Sequence, residues 1–274
     1  MTTIGKIFGV KKPVIGMLHL DYLEGINFKG VEYVAKKAAK DIEALQNGGI
    51  DGILIENWKE ESLGEFTSKE TEKNFMAVME SLKDKINIPF GFNVLNNDYK
   101  LAFQSAKEFG GSFVELDVFV DKVQSDFENN KEAINNPFVI NPKPREIWNY
   151  AKSIGAENIP LFCFIQPKHY KMLETKTIEQ STKEAIENGA SAVLVTKHTG
   201  FAPTIDLIKR AKSAAGDFPV GIGSGFSAEN AKNLLPVVDF AVVGTSIKIN
   251  NETDNPVDPT KVRLLMQIVQ SLRI

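Results

Sequence analysis

"PVGIGSG" (219–225) and "FAVVGTS" (240–246) follow one plan: a short apolar run passes into a turn of glycine and hydroxyl side chains. Continuous apolar runs of this length suit strands covered on both faces, as in a parallel sheet. Six more occur upstream: "PVIGMLHL" (13–20), "GILIEN" (52–57), "PFGFNVL" (89–95), "FVELDV" (113–118), "PLFCFI" (160–165) and "AVLVT" (192–196). Stretches with helix signals separate them. "VEYVAKKAAKDIEALQNGG" (31–49) stops at Gly48-Gly49, and "DYKLAFQSAKEFGG" (98–111) starts at Asp98 and stops at Gly110. Thr67 to Glu70 and Thr177 to Gln180 have capping-box spacing. Ser227 reads as the opening of a helix, and Asp258-Pro259 as the N-cap and first residue of the last one.

Eight strands alternating with about eight helices in 274 residues predict an α/β fold, a single (β/α)8 TIM barrel over 1–274. A doubly wound open sheet is the competing architecture. The count of eight and the lack of an early glycine-rich fingerprint favour the barrel. Residues 119–143, with "SDFENNKEAINN" and "NPKPRE", are too long for a simple strand-to-helix loop. They read as a lid over the barrel mouth or as a surface insertion.

Composition narrows the function. The 32 Lys and Arg against 35 Asp and Glu give a net charge of −3, and the basic residues are scattered, which argues against a nucleic-acid partner. No apolar run approaches the roughly 20 residues needed for membrane insertion. Cys163 is the sole cysteine and sits in an apolar run, so a buried, inert thiol and a reducing compartment are expected. The N-terminus lacks the apolar core of a signal peptide, and a cytoplasmic location follows as the expectation. A homo-oligomer contact is compatible with this class of fold, though no segment specifies one.

In a TIM barrel the active site lies at the C-terminal ends of the strands. That position selects His19, Glu56, Asn57, Asn93, Glu115 and Asp117 from the first four strands, Gln166, Lys168 and His169 from the fifth, and Thr196, Lys197 and His198 from the sixth. All three histidines of the chain are among them. The turns after the last two strands fall where such barrels commonly bind phosphate. There Gly223, Gly225 and Gly244 would let backbone N–H groups converge on an anion, and the hydroxyls of Ser224, Thr245 and Ser246 would add bonds. The alternative is that the glycines serve only tight turns and barrel packing.

"VIGMLHL" (14–20), "ALQNGGIDGILIEN" (44–57), "GFNVLNND" (91–98) and the long segment from "GSGFSAEN" to "NPVDPTKV" (223–262) resemble the BtpA family, in the same order and over nearly the whole chain. The resemblance implies a TIM barrel of the phosphate-binding kind. The family takes its name from a protein linked to photosystem I biogenesis, and no reaction comes with it. His19, Glu56, Asn57, Asn93, Lys168, His169 and the two glycine-rich turns match its pattern. Departures are "DYLEG" (21–25) after the His-Leu pair, "LDVFVD" (116–121) on the fourth strand and "VTKHTG" (195–200) after the sixth. "TKHTGF" (196–201) is also similar to the segment carrying the Schiff-base lysine of deoxyribose-phosphate aldolases. Lys197 is shifted there by one residue, so Thr196 takes the nucleophile's register.

These readings converge on an enzyme for a small anionic metabolite, a phosphorylated sugar-like or nucleoside-like compound, by isomerase, lyase or hydrolase chemistry. Glu56 is the general acid/base, a carboxylate beside the apolar run "GILI". Lys168 and His169 assist as electrophile or proton carrier, His19 and Asn93 orient the ligand, Asp117 is a second carboxylate, and Lys197 joins the same mouth. No cofactor is specified, and no linear spacing marks a metal site. The alternative is a non-catalytic assembly or stability factor using the barrel as a binding surface.

Overall fold

The computed structural model describes residues 2–60, 63–126 and 135–273. All eight apolar runs become strands of one closed, parallel barrel. These are β1 (Val14–His19), β2 (Gly52–Glu56), β3 (Phe90–Asn93), β4 (Phe113–Leu116), β7 (Leu161–Ile165), β9 (Ala192–Val195), β10 (Val220–Ile222) and β11 (Phe240–Val243). The remaining short strands, β5 (Val123–Ser125), β6 (Val139–Ile140) and β8 (Tyr170–Met172), form a separate antiparallel sheet in the order β6-β5-β8. Its strands β5 and β6 fall within 119–143, the expected lid region, of which residues 127–134 lie outside the described residues, and β8 comes from the loop after β7.

The barrel is surrounded by α2 (Val31–Asn47), α3 (Lys69–Leu82), α4 (Tyr99–Phe109), α5 (Pro144–Ser153), α6 (Ile178–Glu187), α7 (Ile205–Ala215), the one-turn α8 (Ala231–Leu234) and α9 (Pro259–Leu272), preceded by α1 (Thr3–Phe8). Asp98 caps α4, Asp258 caps α9 with Pro259 in its first turn, and Thr177 forms the reciprocal capping box with Gln180 on α6. The cap of α3 differs from the sequence reading. Ser68 accepts from Thr71 N–H there, because the Thr67 hydroxyl is drawn to Asp98 Oδ2, 2.8 Å away. The helix expected at Ser227 begins at Ala231 instead. Asn230 Oδ1 accepts from Ser227 N–H and its amide donates to Gly225 O, closing a turn before any helix forms.

Two hydrophobic layers follow from strand alternation. Val14, Leu18, Ile53, Ile55, Val193 and Val195 face outward into the layer under the helices. Ile15, Met17, Leu54, Phe113, Phe162, Phe164, Leu194, Phe240 and Val242 fill the barrel interior, and Ile4 and Phe8 of α1 belong to the same cluster. Interior glycines make room for these rings. A Cβ on Gly91 would come 2.6 Å from Phe113, and one on Gly221 would come 2.5 Å from Phe240. Cys163 is fully buried in the outer layer, as expected of an inert thiol. Among the described residues no helix is long and apolar enough to cross a membrane.

Candidate active site

Two residues beyond the apolar interior layer, each strand delivers one inward side chain or glycine at its C-terminal end. From Met17, Leu54 and Gly91 the step leads to His19, Glu56 and Asn93; from Phe113 it leads to Glu115 and then Asp117. On the other half it leads from Phe162, Leu194, Gly221 and Val242 to Phe164, Thr196, Gly223 and Gly244. Strand register brings the first three together, since His19 pairs with Glu56 across β1-β2 and Glu56 with Asn93 across β2-β3. A cavity of about 1180 Å³ opens above this layer, lined by His19, Glu56, Glu115, Asp117, Lys168 and His169 and by the turns at 223–225 and 244–246.

The carboxylates are held in a way that favours their protonated forms. Glu56 is buried, and burial, with help from the neighbouring charge of Asp117, pushes it up to about 8 against the pull of Lys168. Glu115 is likewise pushed up to about 8, by burial and then by Asp117. Burial lifts Asp117 to about 6, opposed by a hydrogen bond from Asn93 and by Lys168. Asn93 Nδ2 donates to Glu115 Oε1 at 3.1 Å and to Asp117 Oδ1 at 3.0 Å. His19 Nε2 stands 3.5 Å from Glu56 Oε2, and burial drives its imidazole well below the ordinary range, so it is neutral at pH 7. Among the described residues, no group of three or more His, Cys, Asp or Glu is arranged to hold a metal ion.

Lys168 reaches this layer from a tight turn after β7. Gln166 and His169 both adopt positive φ there, 52° and 63°, an uncommon backbone state for side-chain-bearing residues. The turn is fixed from below and from the side. Asp121 Oδ2 accepts from Gln166 N–H at 2.7 Å, and His169 Nε2 lies 2.8 Å from the Thr199 hydroxyl. Lys168 Nζ sits 5.9 Å from the centre of the Phe164 ring. Burial and the adjacent Lys168 charge push His169 down to about 4.

The glycine-rich turns differ from their sequence reading in one respect. All three hydroxyls assigned to an anion already have partners within the protein. Ser224 Oγ accepts from Lys197 N–H at 2.9 Å and donates to Phe201 O at 2.9 Å. Thr245 bonds Thr253, and Ser246 donates to Phe226 O. Gly223 N–H is also engaged, by Val195 O. The hydroxyls therefore bind within the turns, and residues 224–226 and 244–246 line the cavity.

Two residues given a catalytic part by the sequence do not line the cavity: Asn93, buried and bonded to Glu115 and Asp117, and Lys197. Leu194 points into the barrel, so Thr196 does as well, and Lys197 turns outward and is exposed. Asn57 acts as a staple: it accepts from Leu95 N–H at 2.6 Å and donates to Leu95 O, tying the loop after β2 to the loop after β3. His198 is exposed, with its ring 6.4 Å from that of His169. Several cavity residues carry no sequence signal. Trp58 packs 5.2 Å from the His19 ring and donates from Nε1 to Asp254 Oδ1, and Tyr170 donates its hydroxyl to Asn96 O. Trp58, two residues after Glu56, could have been found from its place beyond a strand end. Asp254 is remote in sequence, and only the fold brings it there.

In TIM-barrel enzymes the active site lies at the C-terminal ends of the barrel strands. The family model of the BtpA family matches residues 10–271, and the chain belongs to this family. Uncharacterized protein PF0860 of Pyrococcus furiosus is 29% identical over 266 residues, covering 96% of each chain. The photosystem I biogenesis protein BtpA of Synechocystis is 25% identical over 268 residues, covering 95% of this chain and 88% of its own. Among solved structures, a Mycobacterium tuberculosis tryptophan synthase matches with a TM-score of 0.60 at 13% identity, covering 100% of this chain and 99% of its own. A thiamine phosphate pyrophosphorylase from Pyrococcus furiosus matches with a TM-score of 0.54 at 14% identity, covering 95% and 96%. At these identities the structures establish the fold.

Proposed function

We propose that this protein is an enzyme that moves protons on a small phosphorylated metabolite, sugar-like or nucleoside-like, at the C-terminal mouth of the barrel. The observation that carries this reading is the burial of Glu56, Glu115 and Asp117 together beneath one cavity, opposite two glycine-rich turns. Buried carboxyl groups whose proton affinities lie near neutrality can both give and take protons at physiological pH. The phosphoryl group would be held by main-chain N–H groups of the 224–226 and 244–246 turns, with their hydroxyls keeping the turns in shape. Glu56 serves as acid or base, Lys168 offsets charge developing on the ligand, and neutral His19 and His169 orient it or accept a proton. The sheet of β5, β6 and β8 would cover the mouth as a lid. The phosphate in the name of that thiamine phosphate pyrophosphorylase is consistent with this reading. The assembly-factor alternative draws its support from the name of one relative.

The test is calorimetric titration of inorganic phosphate, then of aldose, ketose and nucleoside phosphates, with NMR on each binder to detect conversion. Binding, together with conversion that Glu56→Gln removes while affinity persists, is the expected result. Absence of binding by every phosphate in the panel would overturn the proposal.

A further inference from the structure

Asn93 occupies an unusual place in this site. It is 1% exposed, and its two amide hydrogens go to two different carboxyl groups, Glu115 Oε1 and Asp117 Oδ1. Those two residues lie two apart, so they share the inward face. An amide N–H is donated to a lone pair, and the carbonyl oxygen of a carboxylic acid accepts better than its hydroxyl oxygen. Neither Oε1 of Glu115 nor Oδ1 of Asp117 donates a hydrogen toward Asn93, and a proton on either group is favoured on its other oxygen. For Glu115 that other oxygen, Oε2, is buried and has no hydrogen-bond partner among the described residues. A buried carboxylate oxygen without a donor is costly, whereas a carboxylic acid with its proton there is a donor awaiting an acceptor.

We propose that Asn93 is a positioning residue that divides Glu115 and Asp117 into a proton donor and a proton acceptor, directing the Glu115 proton to Oε2 and keeping Asp117 bare. In a reaction, the Glu115 proton passes from Oε2 to a ligand oxygen while Asp117 takes one from a ligand hydroxyl, so the summed charge of the pair is unchanged. The inference rests on the enzyme reading above and refines it, because it assigns the donor's part to Glu115, a strand-end candidate to which the sequence gave no role.

The surroundings agree with the split. Glu115 faces Asp117, Glu56 on β2 and Lys168 beyond β7; after burial Asp117 raises its proton affinity most, the Asn93 bond and Lys168 lower it, and Glu56 raises it. Asp117 faces Lys168, Glu56 and the Tyr170 hydroxyl of β8, and after burial its leading influences, Asn93 and Lys168, both favour the ionised form.

The experiment is an NMR titration of the full chain carrying ¹³C-labelled Glu and Asp carboxyls, assigned with Glu115→Gln and Asp117→Asn, followed by the same titration of Asn93→Leu. In wild type, Asp117 should lose its proton at a lower pH than Glu115, with Glu115 still protonated at pH 7. In Asn93→Leu the Asp117 midpoint should rise by about one pH unit or more, the loss of one hydrogen bond to a charged acceptor. Removing a merely structural amide would lower stability and leave these midpoints where they were, which would overturn the proposal. Should the leucine variant not fold, wild type still decides. Glu115 and Asp117 losing their protons together below pH 5 overturns the proposal, and separated midpoints in the stated order uphold it. No ligand is needed, so failure of the phosphate panel and failure of this titration are separate outcomes.

Discussion

His19 Nε2 lies 3.5 Å from Glu56 Oε2, with both side chains about nine-tenths buried, and the two groups face each other uncharged. Burial pushes the imidazole down and the carboxyl up, so near pH 7 the imidazole is neutral and the carboxyl keeps its proton. An ion pair would require two buried charges and their desolvation. The neutral contact avoids that cost and leaves a proton on Glu56 beside a ring able to accept it.

The carboxyl groups make stability depend on pH. Glu56 and Glu115 each titrate near 8 in the fold against an ordinary 4.5, so between those values the folded chain binds more protons than the unfolded one. Unfolding free energy then falls as pH rises through that window, by up to about 1.4 kcal/mol per pH unit for each group. His169, held near 4, acts in the opposite sense below its ordinary 6.5, so the carboxyl effect is cleanest above that pH. Urea unfolding from pH 6.5 to 9 should show the decline in wild type and a shallower one in Glu115→Gln. Equal slopes in the two proteins would contradict the assignment.

Substitutions at the glycine-rich turns should separate packing from ligand contact. A Cβ on Gly223 would lie 2.2 Å from Phe164 Cε1 inside the barrel, so Gly223→Val should lose about 1–3 kcal/mol to overpacking before any ligand is added. Gly225 has φ +65° and would put its Cβ 2.0 Å from Ala202 N, a backbone atom, so Gly225→Ala should be similarly or more disruptive. Gly244 is more forgiving, with His19 Cε1 at 3.1 Å and Met17 Cγ at 3.3 Å. Thermal melts should rank Gly244→Ala nearest wild type. Phosphate titration of that variant should show weakened binding with the fold retained, because His19 is crowded.

The turn after β11 is fastened from outside the barrel. Lys248, 1% exposed, pairs with Asp41 of α2 at 3.2 Å, and Asp41 also accepts from Val257 N–H. Asp41→Ala would leave a buried ammonium without its counter-charge, at a cost of about 3–5 kcal/mol. Denaturant unfolding should report that loss. A value below 1 kcal/mol would mean that water reaches Lys248 in solution.

Much of this was legible in the sequence because it follows from period-two alternation. Once eight strands were recognised, His19, Glu56, Asn93, Asp117 and the terminal glycines fell at one mouth by counting residues. Hydroxyl partners were not legible. Ser224 looks like an anion ligand in "GSG", yet its oxygen serves Lys197 and Phe201, more than twenty residues away. The same holds for Asp254 against Trp58 and for Asp121 beneath Gln166, contacts that loop packing creates and no local pattern encodes. Ser227 opens turn residues 228–230 rather than regular helix; Asn230 accepts its N–H, and the Ser227 carbonyl accepts from Ala231 N–H where α8 begins.

Lys168 and Lys197 give the sharpest contrast between a residue inside the site and one beside it. Lys168 lowers the proton affinity of Glu56, Glu115 and Asp117 together, from a turn that two positive-φ residues and Asp121 hold in place. Lys168→Met should raise the titration midpoints of all three carboxyls, the sign following from the loss of a nearby positive charge. It should also weaken binding of any anionic ligand. Lys197 lies one residue beyond the inward-facing Thr196, and its ammonium points to solvent. Lys197→Met should leave carboxyl midpoints, ligand affinity and melting temperature at wild-type values, since its structural contribution is a backbone N–H donated to Ser224, which any side chain preserves. NMR titration and calorimetry of the two variants side by side check both statements. A carboxyl midpoint that moved in Lys197→Met would require the loop at 197–201 to fold inward in solution and would restore that lysine to the site.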